Sequence, residues 1–177
     1  MQQNSLFKID YWKISVVDFK IKKQQLIDLL KEYPEKKQGI QFFSTNKQNN
    51  RDKLSEKFFN IFSEEFKQFS NNIKKNIILE DVWSVSYNLG DYHIPHNHGV
   101  KGLSGILYLE LNEKSPSTCF LQPWNDIEKD ESTIFNMPVK EGEIIIFPSF
   151  VNHFSLPNKY KKIKRIVSFD MKIRTII

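Results

Sequence analysis

Hydrophobic residues recur at helical spacing in the first half of the chain. One such stripe consists of Leu26, Leu29, Leu30 and Tyr33 and predicts a helix that ends before Pro34. A longer apolar stripe, at residues 54, 58, 61, 62, 66, 69 and 73, predicts a second helical stretch. Two segments rich in β-branched and aromatic residues, KISVVDFKI and GIQFFSTN, are predicted to be extended. We expect each helix to bury one face.

From residue 82 onward the hydrophobic period becomes two. Short alternating segments follow one another between Gly, Pro, Asn or charged turns: VWSVSYNL, LSGILYLEL, STCFLQPW, EIIIF and KIKRIVSFDMKI. Helices followed by a run of strands predict an α+β chain whose sheet part is a sandwich or barrel. We expect one domain over residues 1–177, in which 1–80 support a β core formed by 81–177.

Composition and charge narrow the functional classes. The 177 residues, 40% of them hydrophobic and 14% aromatic, suit one folded domain. The net charge of +5 is spread along the chain, so nucleic-acid binding is not indicated. The single Cys119 excludes an internal disulfide framework and a multi-thiolate zinc site. No run of about 18 apolar residues or signal-peptide core occurs, so we expect a soluble cytoplasmic protein with no membrane partner.

The histidines carry the candidate chemistry. The chain has four, and His96 and His98 lie two apart, so that in a strand their imidazoles share a face. His153, after a later strand, can supply a third donor. Imidazole binds iron, zinc, copper and nickel, and three such donors leave coordination positions open for ligand exchange. The alternative is that the pair is merely polar, on an exposed loop beside Pro95 and Asn97.

The position of these histidines also predicts the architecture. His93 precedes the pair by three residues and is expected to lie outside the ligand set. One histidine-bearing unit is GDYHIPHNHG and the other is GEIIIFPSFVNH, and hairpins separate them. Two histidine-bearing strand ends of this kind are typical of a double-stranded β-helix, a jelly-roll barrel of cupin-like form that holds a metal in its mouth.

Three segments carry a family resemblance: GDYHIPHNHGVKGLSGILYL, GEIIIFPSFVNHFSLPN and KRIVSFD. They resemble the Fe(II)- and 2-oxoglutarate-dependent oxygenases, in particular a small prolyl-hydroxylase-like group common in marine bacteria and phages. That group shows His-x-His, then Ser-Gly-(aliphatic)-Tyr-Tyr-Leu, then Phe-Pro-Ser with a distal His, and then a strand that begins with Arg and ends in Ser-Phe-Asn. The resemblance covers nearly the whole chain, most strongly after residue 80. It implies an enzyme that uses Fe(II) and 2-oxoglutarate, hydroxylates an unidentified substrate and releases succinate and CO2.

Carried over to this chain, the resemblance makes His96, His98 and His153 the iron ligands. His98 stands where most members of the wider superfamily have Asp, so the centre would hold three neutral imidazoles and attract an anionic co-substrate more strongly. Asp91 is the nearest carboxylate that could replace it. Its spacing of five residues from His96 is against that role.

The resemblance also implies a cation for the C5 carboxylate of 2-oxoglutarate. Alignment on Ser-Phe-Asp places Lys164 at the family's Arg position. Strand alternation instead groups Arg165 with the apolar residues at 167, 169 and 171. Because that apolar face is expected to be the barrel interior, Arg165 is favoured.

Other residues are candidates for contact with the co-substrate or the substrate. The Tyr108 hydroxyl can donate to a co-substrate carboxylate, and Ser168 is a further candidate. Substrate contacts are expected from loops at 40–50 and 124–137. The second loop carries four acidic residues, which suit a basic peptide or an amine-bearing small molecule: Asp126, Glu128, Asp130 and Glu131.

Two other functions stay open at this point. The chain also matches the two cupin motifs, through Gly90-x5-His96-x-His98 and through Gly142-x5-Pro148 followed by a His. The Glu that cupins have after the first two histidines is absent. The alternatives are therefore a three-histidine cupin-type dioxygenase that does not use 2-oxoglutarate, or a non-catalytic β-sandwich binding protein.

Overall fold

The computed structural model describes residues 8–46, 51–126 and 131–174. Within these ranges the helices are α1 (Phe19–Leu30), α2 (Arg51–Ile61) and α3 (Ser63–Ile73). The strands are β1 (Trp12–Ser15), β2 (Lys36–Gln38), β3 (Phe42–Ser44), β4 (Asn76–Tyr87), β5 (His93–His96), β6 (Leu103–Glu110), β7 (Thr118–Asp126), β8 (Glu131–Asn136), β9 (Glu143–Pro148), β10 (His153–Ser155) and β11 (Lys164–Arg174).

The strands form two antiparallel sheets. The larger sheet has the order β1-β9-β6-β11-β4-β3-β2, and the smaller sheet has the order β5-β10-β7-β8. One apolar core, which includes Val85, Phe120 and Ile166, joins residues of both sheets. The predicted α+β fold with a jelly-roll β core is therefore confirmed.

A second core lies between the larger sheet and the helices. Leu26 of α1, Phe58 of α2 and Phe66 of α3 are buried in it together with Val167 and Phe169 of β11. Strand β11 is thus buried on both faces, since Ile166 belongs to the first core and Val167 to the second. Successive side chains of a strand point to opposite faces, so Lys164, Ile166 and Ser168 face the smaller sheet.

Three local predictions differ from the structure. The second helical stretch is divided at Phe62, a fully buried side chain between α2 and α3. The extended segment predicted at 13–21 ends early, because Asp18 takes a left-handed conformation with φ 51° and α1 begins after it. The predicted loop at 124–137 contains β8, which pairs with β7 and continues the smaller sheet.

The first part of the chain contributes to the same sheet as the second. β1 pairs with β9, and β3 pairs with β4. The predicted division after residue 80 falls inside β4, and it stays a prediction. No helix in the described part of the chain is both long and apolar enough to cross a membrane.

Candidate metal centre

Three histidines converge at the open end of the two sheets. His96 ends β5, His153 begins β10, and the antiparallel pairing of these strands places the two residues directly opposite each other. His98 follows β5, and its backbone N–H donates to the carbonyl of Ser149 at 2.9 Å. The available nitrogen atoms of the three side chains lie within 4.8 Å of one another. The structure therefore brings together the three histidines of the predicted ligand set.

Hydrogen bonds fix the orientation of each ring. His96 and His153 lie 2.9 and 3.1 Å, through Nδ1, from the backbone carbonyl two residues earlier. His98 Nδ1 lies 2.7 Å from Asp170 Oδ1. Because carbonyl and carboxylate oxygens only accept, we assign the hydrogen to Nδ1 in all three rings. Each Nε2 then keeps its lone pair, which is the arrangement that metal-binding histidines adopt. The residues present therefore fit a metal ion.

Burial keeps the imidazoles of His96 and His153 neutral. It lowers the pKa of His153 to about 3, with a further contribution from the nearby His96. Burial also lowers the pKa of His96. A metal binds the neutral ring, so the ligand form is present at neutral pH without loss of a proton.

His93 packs behind the cluster. Its ring stacks on that of His96, with centroids 3.9 Å apart, and contacts Phe42 on the other side at 4.1 Å. It is absent from the group of mutually close donors found among the described residues. The structure places it against a candidate ligand, where it can support the ring of His96.

Lys164 lies in the barrel interior. Its side chain is 1% exposed, and Nζ donates to the carbonyl of Pro116 at 2.7 Å and to Ser155 Oγ at 2.8 Å. The ammonium also lies over the ring of Tyr87. No carboxylate forms an ion pair with it among the residues that the structure describes. Burial lowers the pKa of Lys164 to about 7, because an unpaired buried charge is costly.

Arg165 lies on the other face of the sheet. Its Nε donates to Ser86 Oγ at 2.9 Å, and its guanidinium pairs with Glu110 at 2.9 Å. The prediction that its face is the barrel interior is wrong, because the apolar residues on that face pack against the helices. β11 is central, and both of its faces are apolar, so hydrophobicity alone could not identify the interior. The preference for Arg165 as the carboxylate-binding cation is corrected on this geometry.

The two remaining candidates face the interior. Tyr108 is fully buried, and its hydroxyl donates to Thr118 Oγ1 at 2.8 Å. Ser168 and Thr118 line the same pocket as the three histidines and Ser155. The pocket therefore runs from the histidine cluster to the hydroxyl that contacts Lys164.

A group of side chains behind His98 was not identified from the sequence. Asp170 Oδ1 accepts hydrogen bonds from His98 Nδ1 and from Ser104 Oγ, each at 2.7 Å. Ser104 Oγ also lies 2.9 Å from Ser149 Oγ. In the sequence, these residues are visible only as members of the Ser-Gly, Phe-Pro-Ser and Ser-Phe-Asp motifs. The strand period of two on β11 was the available signal, since it places Asp170 on the same face as Lys164.

Asp91, the suggested carboxylate substitute, instead accepts the backbone N–H of Asn88 at 2.8 Å and closes a turn.

The mouth outside the histidines is polar. Arg51 and Asp81 form an ion pair of 2.6 Å there, and Trp83 and Asn46 line the same cleft. Of the four acidic residues predicted to select a basic substrate, Glu131 is exposed. The other three, or their side chains, lie outside the described residues, so that expectation stays a prediction.

Comparison with known proteins gives one family. Residues 81–170 match the family described as "Putative 2OG-Fe(II) oxygenase". This region contains the three histidines, Lys164 and Asp170. No curated protein sequence matches the chain significantly.

Solved structures share the fold at low identity. The 2-oxoglutarate complex of the viral collagen prolyl hydroxylase from Paramecium bursaria Chlorella virus-1 has a TM-score of 0.59 at 18% identity and covers 93% of this chain and 96% of its own. The α-ketoglutarate-dependent epimerase SnoN from nogalamycin biosynthesis has a TM-score of 0.69 at 11% sequence identity. The match covers 92% of this chain and 78% of SnoN. HygX from Streptomyces hygroscopicus, with nickel, 2-oxoglutarate and hygromycin B bound, has a TM-score of 0.66 at 8% sequence identity. The match covers 92% of this chain and 82% of HygX. These likenesses establish a shared double-stranded β-helix fold.

Proposed function

We propose a hydroxylase function for this chain, which belongs to the 2-oxoglutarate- and Fe(II)-dependent oxygenases. The family uses non-haem iron as cofactor and 2-oxoglutarate as co-substrate. When bound, the pair supplies the oxidising chemistry, in which 2-oxoglutarate and O2 are converted with the substrate to succinate, CO2 and the oxidised product. The protein contributes binding, orientation and shielding, and those contributions can be assigned to its own residues.

The observation that carries the proposal is the orientation of the three imidazoles. One ring nitrogen of each histidine lies within 4.8 Å of the other two, and each Nδ1 is engaged in a hydrogen bond, which leaves Nε2 as the atom available to a metal. Three ligands on one side of a metal leave the other side free for a chelating co-substrate and a gas. We assign these three residues as the iron ligands.

Lys164 is the residue proposed to bind the C5 carboxylate. Its partner Ser155 lies two residues after His153 on the same face of β10, a separation of about 6–7 Å along a strand. A five-carbon dicarboxylate spans a distance of that order. Bringing a carboxylate to this ammonium pairs a buried charge that otherwise has only neutral partners.

Hydroxyl groups beside Lys164 complete the carboxylate site. Thr118 Oγ1 accepts the hydrogen of Tyr108, so its own hydrogen is available to donate into the pocket. Tyr108 therefore acts through Thr118 in this proposal. Ser168 supplies a further hydroxyl on the face of Lys164.

Apolar side chains shield the site from water. Val85, Ile106 and Ile166 line the pocket between the sheets. Phe147 packs edge-on against the ring of His153, with centroids 5.0 Å apart. Exclusion of water strengthens the polar contacts inside and limits side reactions of the bound oxidant. The substrate, a small molecule or a peptide, enters through the polar mouth.

The test is an anaerobic Fe(II) titration with and without 2-oxoglutarate. Chelation of iron by the keto acid gives a weak visible charge-transfer band, and we expect it only when both are present. Product analysis by mass spectrometry, with succinate release, then identifies a hydroxylated substrate. Iron binding without the band at saturating 2-oxoglutarate would favour the cupin-type alternative. Absence of metal binding would contradict the proposed centre.

A further inference from the structure

We infer that Asp170 is a positioning residue of the metal centre, which holds His98 through Nδ1 and supplies the negative charge that three neutral imidazoles lack. This inference rests on the proposed iron ligands. It concerns a residue at which the chain departs from the family pattern quoted above, where Asn stands in place of Asp170. His98 also departs from the wider superfamily, which has a carboxylate at its position. The two unusual residues are hydrogen-bonded to each other, with His98 Nδ1 2.7 Å from Asp170 Oδ1.

The way in which His98 is held differs from the other two histidines. His96 and His153 each bond a carbonyl of their own strand or turn, two residues away. His98 lies beyond the end of β5, and its ring is held by a side chain 72 residues away on β11. A local backbone bond therefore orients two of the rings, whereas the third is held at Nδ1 by side chains, with Asp170 Oδ1 at 2.7 Å and Ser104 Oγ at 3.1 Å.

A chain of hydroxyl groups fixes Asp170 in turn. Asp170 Oδ1 accepts from both His98 and Ser104. With its hydrogen directed to Asp170, Ser104 Oγ can accept from Ser149 Oγ, 2.9 Å away. Both serines are buried. The serines of the Ser-Gly and Phe-Pro-Ser motifs thus acquire a physical role, which is to orient the carboxylate that orients His98.

No Lys or Arg of the described residues lies within ion-pair distance of Asp170. Arg51 forms its ion pair with Asp81. Among the ion pairs of the described residues, the partner of Asp170 is His98. A carboxylate bonded to the Nδ1 hydrogen raises the basicity of a metal-bound imidazole and holds its tautomer. One unit of negative charge therefore lies one imidazole ring from the metal position, where the wider superfamily carries that charge on the ligand itself.

The experiment measures metal affinity without turnover. Zn(II) and Co(II) dissociation constants are determined by chelator competition for the wild type, Asp170→Asn and Asp170→Ala. Asn keeps the acceptor oxygen and removes the charge, and Ala removes both. We expect the dissociation constants to rise about 10-fold for Asn and up to about 100-fold for Ala, the range typical of residues that orient metal ligands.

Two further variants separate positioning from general electrostatics. Asp81→Asn removes the same charge from the strand position that pairs with Asp170, and we expect a change in metal affinity below about threefold, because Asp81 is paired with Arg51. Ser104→Ala removes the hydrogen bond to Asp170 and the 3.1 Å contact with His98 Nδ1 at constant charge, and a smaller loss of affinity of a few-fold is expected. In a His98→Ala background, Asp170→Asn should have no further effect.

The outcomes are distinct. Wild type that binds no metal would overturn the proposed centre and this inference together. Wild-type binding with unchanged affinity in Asp170→Asn and Asp170→Ala would overturn this inference alone. An equal loss of metal affinity on Asp170→Asn in the wild-type and His98→Ala backgrounds would show that Asp170 acts by long-range charge. That result would also overturn the positioning role. The Co(II) absorption spectrum provides a second readout, since a shift in its ligand-field bands is expected only if the orientation of His98 changes.

Discussion

Lys164 and Arg165 are adjacent on β11, and their side chains lie on opposite faces of the larger sheet. Lys164 is buried between the sheets beside Ser155, while Arg165 pairs with Glu110 and Ser86 on the face toward the helices. The register of β11 against β4 and β6 fixes this arrangement over eleven residues. On this geometry we propose Lys164, and not Arg165, as the cation that binds a dicarboxylate in the barrel.

Matched substitutions test this assignment. Lys164→Met removes the charge and keeps an apolar chain of similar length, so we expect 2-oxoglutarate to bind about 30-fold more weakly, the loss of about 2 kcal/mol for a charged hydrogen bond. Arg165→Met should leave that affinity unchanged and cost up to about 1 kcal/mol of stability through the partly exposed Glu110 pair. Isothermal titration calorimetry of the metal-loaded protein measures both. The opposite order would place Arg165 in the interior.

The pH dependence of co-substrate binding provides a second test. Because burial lowers the pKa of Lys164 to about 7, the free protein loses the ammonium as the pH rises above 7. A carboxylate binds the ammonium, so the apparent dissociation constant for 2-oxoglutarate should rise by about twofold between pH 6 and 7 and approach about tenfold per pH unit well above 7. Nearby Tyr87 and Cys119 have pKa values raised by burial and stay neutral.

Lys164→Arg is the control for this pH profile, since a guanidinium keeps its charge throughout the range. Any pH dependence shared by the wild type and Lys164→Arg belongs to the metal and not to residue 164. Identical profiles for the two proteins would contradict the role of Lys164.

Removal of single histidines tests the ligand set. His96→Ala, His98→Ala and His153→Ala each delete a proposed ligand, so we expect metal affinity to fall further than in any Asp170 variant and turnover of 2-oxoglutarate to stop. His93→Ala removes a ring that stacks on His96, and we expect affinity within about tenfold of the wild type. Circular dichroism confirms folding of each variant. Equal metal loss in all four would include His93 among the ligands.

A packing contact behind the site is testable through Gly105. A Cβ atom at this position would lie 2.1 Å from the ring of Phe169, which itself contacts Phe58 and Phe66 in the core against the helices. Gly105→Ala should therefore destabilise the fold by about 1–3 kcal/mol, which corresponds to a melting temperature lower by about 2–10 °C.

Phe169→Leu in the same chain as Gly105→Ala makes room for the added methyl group. The double variant should recover part of the stability lost by Gly105→Ala, a positive coupling that thermal or urea unfolding detects. Strictly additive losses would show that the two residues do not contact each other.

Local sequence determined the candidate metal ligands. His96 and His98 lie two apart, so the period of a β-strand predicted that their rings share a face. The meeting of His153 with this pair was predicted from the two histidine-bearing units, which are typical of a double-stranded β-helix, and the pairing of β10 with β5 brings it about. The alternating segments after residue 82 likewise predicted the strands, and the family resemblance predicted the jelly-roll fold. The strands and the shared face of His96 and His98 depend on neighbours within a few residues, where backbone geometry leaves little choice.

Tertiary structure decided which side chains serve the centre. Alternation placed Lys164 and Arg165 on opposite faces, but β11 is buried on both sides, and only the packing of the helices against one face identifies the other as the barrel interior. The contact between His98 and Asp170 joins residues 72 positions apart. Such a pair is fixed by the register of β11 beside β6 and by the path of the loop after β5, and no local period contains that information.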